Sequence, residues 1–369
     1  MLNELPIPFR EYFGFLNLFE YITFRAGASA ILALLISFIF GPFVVRKLIN
    51  LQIGESIRDH GPSSHKNKQG TPTMGGVIII LSTIIPTILL ADLNNLFIQI
   101  ICASMIWMGL VGFYDDYLKV VKKRKDGLSG RYKLLAQTIL GIFISYLLIS
   151  SNVYGDYTLS TFVPFLKNVS INFCYPIIYA IFIILVVSAT SNAVNLTDGL
   201  DGLASGLLAI SVSVFGVIAY ISGRVDFTDY LYIAYLPQAS ELTIFATAFF
   251  GGCLGFLWFN AKPAEIFMGD VGSLSSGAAL GTLAILLKKE VLLLIVGGVF
   301  VIETLSVIIQ VLYFRFTKNK YGVGRKFFLM APIHHHFELK GWPESRVVTR
   351  FWIIGILFAL MSLTTFKVR

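Results

Sequence analysis

Acidic side chains in this chain come in pairs and tight turns, a pattern that suits binding a hard cation. Asp115-Asp116 closes an apolar run, Asp198 and Asp201 stand three residues apart between Asn192 and Gly202, and Asp270 sits in the turn Gly269-Asp270-Val271-Gly272. Mg²⁺ takes one or two carboxylates and completes its shell with water and phosphate oxygens, so three acidic loops offer ample ligands. Zinc fits poorly, because Cys102, Cys174 and Cys253 lie in apolar runs without CxxC spacing and no His/Cys set has tetrahedral-site spacing. Basic groups able to meet phosphate oxygens are Lys68, Lys119, Lys125 and Lys133. His334, His335 and His336 are consecutive, so all three cannot point one way.

Each motif has a plainer alternative. A carboxylate pair at the end of an apolar run can be a solvated boundary, and the run Lys119, Lys122, Lys123, Arg124, Lys125 can be a topology anchor. On a helix, Asp198 and Asp201 would share one face; they can equally be acids in a helix's first turn. Asp270 can be a cap, and the histidines interfacial padding. Glu303 is the one carboxylate deep within an apolar run, with Gln310 two turns on, and an interhelical hydrogen bond would account for it.

The elements that must position these residues are membrane helices. Of 369 residues, 56% are hydrophobic and 14% charged, against roughly 45–50% and about 25% in soluble domains. At about 20 residues per span, that is enough for about ten spans. Ten apolar runs are visible, at 26–45, 74–90, 96–113, 134–149, 173–189, 204–221, 242–259, 274–287, 291–314 and 347–366. The eighth is short. The ninth is unusually long, and Gly297-Gly298 within it predicts a kink or tilt. The fold expected is an all-α integral membrane protein, one polytopic domain over 1–369. Residues 1–24, with seven aromatics and no basic n-region, read as an interfacial segment rather than a signal peptide. A net charge of +8 then reflects orientation and anionic headgroups rather than nucleic-acid binding.

Lysine and arginine sort by side. The loops after the odd-numbered runs hold 20 of the 29, and the opposite side holds 7. The positive-inside rule therefore puts both termini outside and the odd loops in the cytoplasm. Every polar motif above falls in those cytoplasmic loops, so the expected site is at the cytoplasmic membrane surface. The outer acids Asp156, Asp226, Asp229 and Glu241 are scattered. A transporter would carry several ionisable groups at mid-membrane rather than Glu303 alone.

Five stretches carry a family resemblance: GTPTMGG at 70–76, GFYDDYLK at 112–119, NAVNLTDGLDGLA at 192–204, FNAKPAEIFMGDVGS at 259–273 and MAPIHHHFELKGW at 330–342. From about Arg46 to Phe366 the chain resembles the phospho-N-acetylmuramoyl-pentapeptide transferases, a branch of the polyprenyl-phosphate N-acetylhexosamine-1-phosphate transferase superfamily. The resemblance implies a Mg²⁺-dependent enzyme of the bacterial cytoplasmic membrane. Its substrates would be UDP-MurNAc-pentapeptide and undecaprenyl phosphate, its products lipid I and UMP. Membrane lipids surround such an enzyme, and a homodimer is compatible with it. The implied catalytic residues are Asp115, Asp116, Asp270 and His334, with Asp270 toward the metal and Asp115 and Asp116 toward the metal or the acceptor phosphate. Lys68, Asn195, Asp198, Asp201, Asn260 and Phe267 would line the uridine-diphosphate site. Thr73, Lys119, Lys125 and Lys133 would bind substrate as well, with His335 and His336 beside the sugar phosphates. The histidine motif separates this branch from the related GlcNAc-1-phosphate transferases, the closest rival reading. Lys318–Arg325 reads as a longer loop than many relatives have, and Ser275-Ser276 stands where small apolar residues are common.

Overall fold

A computed structural model describes residues 14–50, 70–124, 127–166 and 169–366. After a 3₁₀ turn at Gly14–Glu20, the chain forms α1 (Ile22–Asn50), α2 (Gly76–Leu90), α3 (Leu96–Val120) and α4 (Gly130–Ser150). A small antiparallel hairpin follows, β1 (Ser160–Phe162) with β2 (Ser170–Asn172), pairing Ser160 with Asn172. Then come α5 (Pro176–Thr197), α6 (Leu203–Ser222), the short α7 (Val225–Leu231), α8 (Ala239–Asn260), α9 (Gly269–Leu286), α10 (Glu290–Val296), α11 (Gly298–Tyr321), α12 (Ile333–Leu339) and α13 (Glu344–Thr364). The all-helical membrane class is borne out: α1, α3, α4, α5, α6, α8, α11 and α13 are long and apolar enough to cross a bilayer. Their outer faces carry exposed Ile31, Leu35, Ile39, Leu110, Ile142 and Leu357, a surface that only lipid makes favourable.

The ten runs all become helical, with two departures. α2 has 15 residues, which at 1.5 Å rise is short for about 30 Å of hydrocarbon. The ninth run is two helices, α10 and α11, broken at Gly297, so the predicted kink is a full interruption. Lys318–Tyr321, read from sequence as loop, completes the last turn of α11, which ends at Gly322 with φ +74°. The segment assigned to the interface also yields to helix early, since α1 already begins at Ile22.

At the centre stands α9, whose residues from Val271 to Leu286 are all buried. It packs against α3 and α5, with α2 and α6 alongside. Its composition, GDVGSLSSGAALGTLAIL, explains both its modest hydrophobicity and its place. A helix enclosed by protein needs no lipid-facing side chains, and small residues let neighbouring backbones approach closely. A Cβ on Gly277 would meet the Thr190–Ser191 backbone of α5.

Away from the polar motifs, buried charges staple the opposite end. Arg25 donates to both Glu241 oxygens, at 2.9 and 2.7 Å, and to the Leu90 carbonyl at 2.9 Å. Glu241 also accepts from the Asp92 amide, so it is not one of a scattered set of surface acids. Lys288, one of the seven basic residues on the side opposite the odd loops, is buried, donating to the Thr158 carbonyl and the Tyr179 hydroxyl at 2.7 Å each.

Candidate active site

The Asp-Asp pair forms the last turns of α3, both carboxylates buried. Each is held differently. Asp115 Oδ1 accepts from the Leu128 amide, where the chain doubles back through Gly127 (φ +56°) toward α4. Its Oδ2 lies 2.6 Å from Lys119 Nζ, one turn on, and 2.9 Å from Lys133 Nζ on α4. Asp116 Oδ2 accepts from the Val271 amide at 3.1 Å. The residue before α9, Met268, supplies no side-chain cap. Asp116 therefore caps α9 from another helix, where the exposed amides and the dipole favour an anion.

Asp270 lies in the first turn of α9, entered through Gly269 at φ +69°. Its Oδ1 accepts from Asn195 Nδ2 of α5 at 2.7 Å, and its Oδ2 accepts from Lys119 at 2.9 Å and Lys133 at 2.5 Å. Asn195 also donates to Ser273 Oγ at 2.9 Å. Asp115, Asp116 and Asp270 can each offer an oxygen so that all three lie within 4.8 Å of one another. Three hard, anionic donors at that spacing fit a divalent cation. The approach is held by backbone: Gly75 N bonds Phe267 O, Gly76 N bonds Met268 O and Phe267 N bonds Pro72 O, all at 2.8 Å. This ladder joins the glycine motif at 70–76 to the turn before Asp270 and seats Thr73 beside it.

The close packing yields a prediction. A Cβ on Gly112 would run into the Asp270 carbonyl group and Val271 Cα, which forces α3 away from α9 and parts the Asp-Asp pair from Asp270. Gly112→Ala is expected to lower stability by about 1–3 kcal/mol and to weaken cation binding. Gly130→Ala, where a Cβ meets nothing within 4 Å, is the control with neither effect. Thermal unfolding in detergent, with and without divalent cation, reads both.

Asp198 and Asp201 do not share a helix face. Asp198 is the C-cap of α5, and Asp201 lies in the turn before α6, where Gly202 has φ +79°. Asp201 Oδ2 accepts from the Ala264 amide at 3.3 Å, and the Asp201 amide donates to Glu344 Oε1 at 2.9 Å. Glu344 Oε2 pairs with Lys262 at 2.7 Å. Asn260 joins that turn to the loop after α8, accepting from Gly202 N and donating to Ile266 O. These residues shape the loop beside the aspartate cluster. Glu344 and Lys262 were not singled out in the sequence, where a glutamate in a helix's first turn reads as an ordinary dipole acid. Phe267, half-buried, joins the loop through its backbone.

The histidines diverge, as three consecutive residues must. His334 is fully buried, its Nδ1 3.1 Å from Glu303 Oε2 of α11 without hydrogen-bond alignment. A Cβ on Gly199 would strike its ring, so His334 abuts the turn that follows Asn195. His335 Nδ1 lies 2.8 Å from Glu338. His336 Nδ1 accepts from the Leu329 amide at 3.1 Å; burial, with Lys340 nearby, lowers its pKa, consistent with an unprotonated Nδ1. Gln310 accepts from the Phe327 and Phe328 amides, anchoring the loop that leads to the histidines. Lys68 and Lys125 lie outside the described residues.

Comparison with known proteins agrees in kind. The description "Glycosyl transferase family 4" matches residues 98–288, and the phospho-N-acetylmuramoyl-pentapeptide-transferase signature 1 matches residues 68–80. Proteins named phospho-N-acetylmuramoyl-pentapeptide-transferase from Desulfosudis oleivorans, Thermodesulfovibrio yellowstonii and Rickettsia felis are 49%, 48% and 49% identical, each over 100% of both chains.

Proposed function

The chain belongs to the phospho-N-acetylmuramoyl-pentapeptide-transferase family, and from that premise we propose that it makes lipid I. An oxygen of undecaprenyl phosphate attacks the sugar-bound phosphorus of UDP-MurNAc-pentapeptide. A new P–O bond forms, the bond from that phosphorus to the bridging oxygen breaks, and UMP leaves with the electron pair. The observation that carries this reading is the meeting of Asp115, Asp116 and Asp270 with Lys119 and Lys133. Phosphoryl transfer asks a protein for positioning and charge neutralisation more than for covalent chemistry.

Asp270, Asp115 and Asp116 would hold Mg²⁺, which when bound supplies charge neutralisation at the diphosphate. Lys119 and Lys133 present ammonium groups to phosphate oxygens, with Lys68 and Lys125 as further cations. Asn195 keeps Asp270 oriented. Asp198, Asp201, Asn260 and Phe267 shape the uridine pocket, and Thr73 and His334–His336 border the sugar phosphates. The acceptor's lipid tail is the reason for siting this chemistry at a bilayer surface.

The test is purified protein with UDP-MurNAc-pentapeptide, undecaprenyl phosphate and Mg²⁺, read by mass spectrometry. Equimolar UMP and lipid I are expected. Turnover of UDP-GlcNAc in its place would assign the chain to the GlcNAc-1-phosphate branch.

The same reading includes residence in the bacterial cytoplasmic membrane, with the site on the cytoplasmic side and both termini outside. A cysteine introduced at position 167 is expected to react with an impermeant maleimide in intact spheroplasts. Cysteines placed within 315–346 are expected to react only after permeabilisation. Labelling of 167 solely after permeabilisation would reverse the topology.

A further inference from the structure

Two of the three carboxylates assigned above to a divalent cation, Asp115 and Asp270, are already paired with cations from within the chain. Lys119 Nζ lies 2.6 Å from Asp115 Oδ2 and 2.9 Å from Asp270 Oδ2, and Lys133 Nζ lies 2.9 and 2.5 Å from the same two oxygens. Two ammonium groups thus bridge one pair of oxygens from two different helices. Like charges at such separation repel, and the carboxylates between them are what make the arrangement favourable. Their combined charge equals that of one divalent cation. The two carboxylates also face each other, and their other partners, the Leu128 amide and Asn195 Nδ2, are neutral and compete with no cation.

We propose that Lys119 and Lys133 form an exchangeable counter-charge. They neutralise Asp115 and Asp270 in the metal-free protein, and cation entry releases both from those oxygens toward the donor's phosphates. The inference rests on the metal reading above. Asp115 and Asp270 would help hold a divalent ion at the carboxylates the lysines contact, and its charge would repel both ammonium groups from the cluster. The lysines can leave: each is a flexible four-carbon stem carrying a point charge, and their side chains are 35% and 18% exposed. Asn195 and the Leu128 amide keep the carboxylates in place meanwhile. Cation binding thereby creates the phosphate-binding charges, so metal and diphosphate would assist each other, while the apo site stays neutral enough to fold.

The test uses full-length protein in neutral detergent without substrate, with Mn²⁺ as the probe and its binding read by electron paramagnetic resonance. Lys119→Met and Lys133→Met are each expected to tighten Mn²⁺ binding by about tenfold or more, because a competing positive charge is gone. Asp270→Asn is expected to abolish the site. Wild-type binding that Asp270→Asn removes, with unchanged or weaker binding in both lysine variants, would overturn the exchange and leave the metal reading standing. Absence of a wild-type Mn²⁺ site sensitive to Asp270→Asn would overturn both. A second measurement needs no variant. Amine acetylation followed by mass spectrometry is expected to modify Lys119 and Lys133 about threefold or more faster when Mg²⁺ is added, since release from the carboxylates leaves both amines open to the reagent. The exposed Lys122 and Lys123 are the internal references, and rates at Lys119 and Lys133 that do not move with Mg²⁺ would overturn the proposal.

Discussion

Asp270→Asn is expected to cut turnover by roughly 10³-fold or more, at the upper end of what loss of one preorganised electrostatic group costs, while the protein stays folded. The side chain stands where α3, α4, α5 and α9 meet, accepting from Lys119, Lys133 and Asn195. Asparagine keeps the shape and removes the charge. What is lost is one of three carboxylates available to a cation, and with it neutralisation at the diphosphate. The fold survives because the start of α9 is capped by Asp116 through the Val271 amide, and the buried length of the helix is untouched. Steady-state rates across a Mg²⁺ titration, with a thermal unfolding curve for each protein, make the measurement. Substantial activity with wild-type Mg²⁺ dependence would remove Asp270 from the metal site.

Asp115→Asn separates a base from a positioning group. The acceptor is a phosphate monoester whose second pKa is about 6, so near neutrality most of it is already the dianionic nucleophile. A general base, worth about 10²–10⁴-fold when a proton moves in the transition state, has little to remove. The contacts suit a positioning role: Asp115 Oδ1 takes the Leu128 amide, and its Oδ2 is shared by Lys119 and Lys133. The expected result is activity lower by about 10²-fold or more and uniformly so across pH. Measured at saturating acceptor, a steep recovery between about pH 6 and 9 would make Asp115 the base. Repeating the profile in neutral detergent removes any shift that anionic lipid imposes on the acceptor.

Much of the site could be read along the chain because its chemistry sits in short motifs between long apolar runs. Asp115-Asp116, the turn at Asp270 and the basic residues Lys119 and Lys133 stand out where charge is scarce, and the structure brings all five together. The resemblance to a transferase family agrees with relatives matched end to end. Other relationships leave no local trace. Asp116 as the cap of α9, the Arg25–Glu241 pair and the Glu303–His334 contact join residues 155, 216 and 31 positions apart. Asp198 and Asp201 illustrate the opposite limit: their spacing fits a shared helix face or a helix's first turn equally, and only the structure shows the chain turning at Gly202.

The division follows from the solvent. A bilayer demands that nearly every spanning backbone group bond within its own helix, so hydropathy and the distribution of lysine and arginine suffice to specify a helical membrane protein and to propose its working side. Lipid tails do not discriminate among apolar faces, however, and helix association rests on close packing of small residues and a few polar contacts. Which helix lies at the centre is therefore set by glycine, alanine and serine meeting specific partners, as Gly112 meets Asp270 and Gly277 meets Ser191. Those contacts of α9 with α3 and α5 carry carboxylates from separate parts of the chain to within 4.8 Å, a distance no one-dimensional pattern contains.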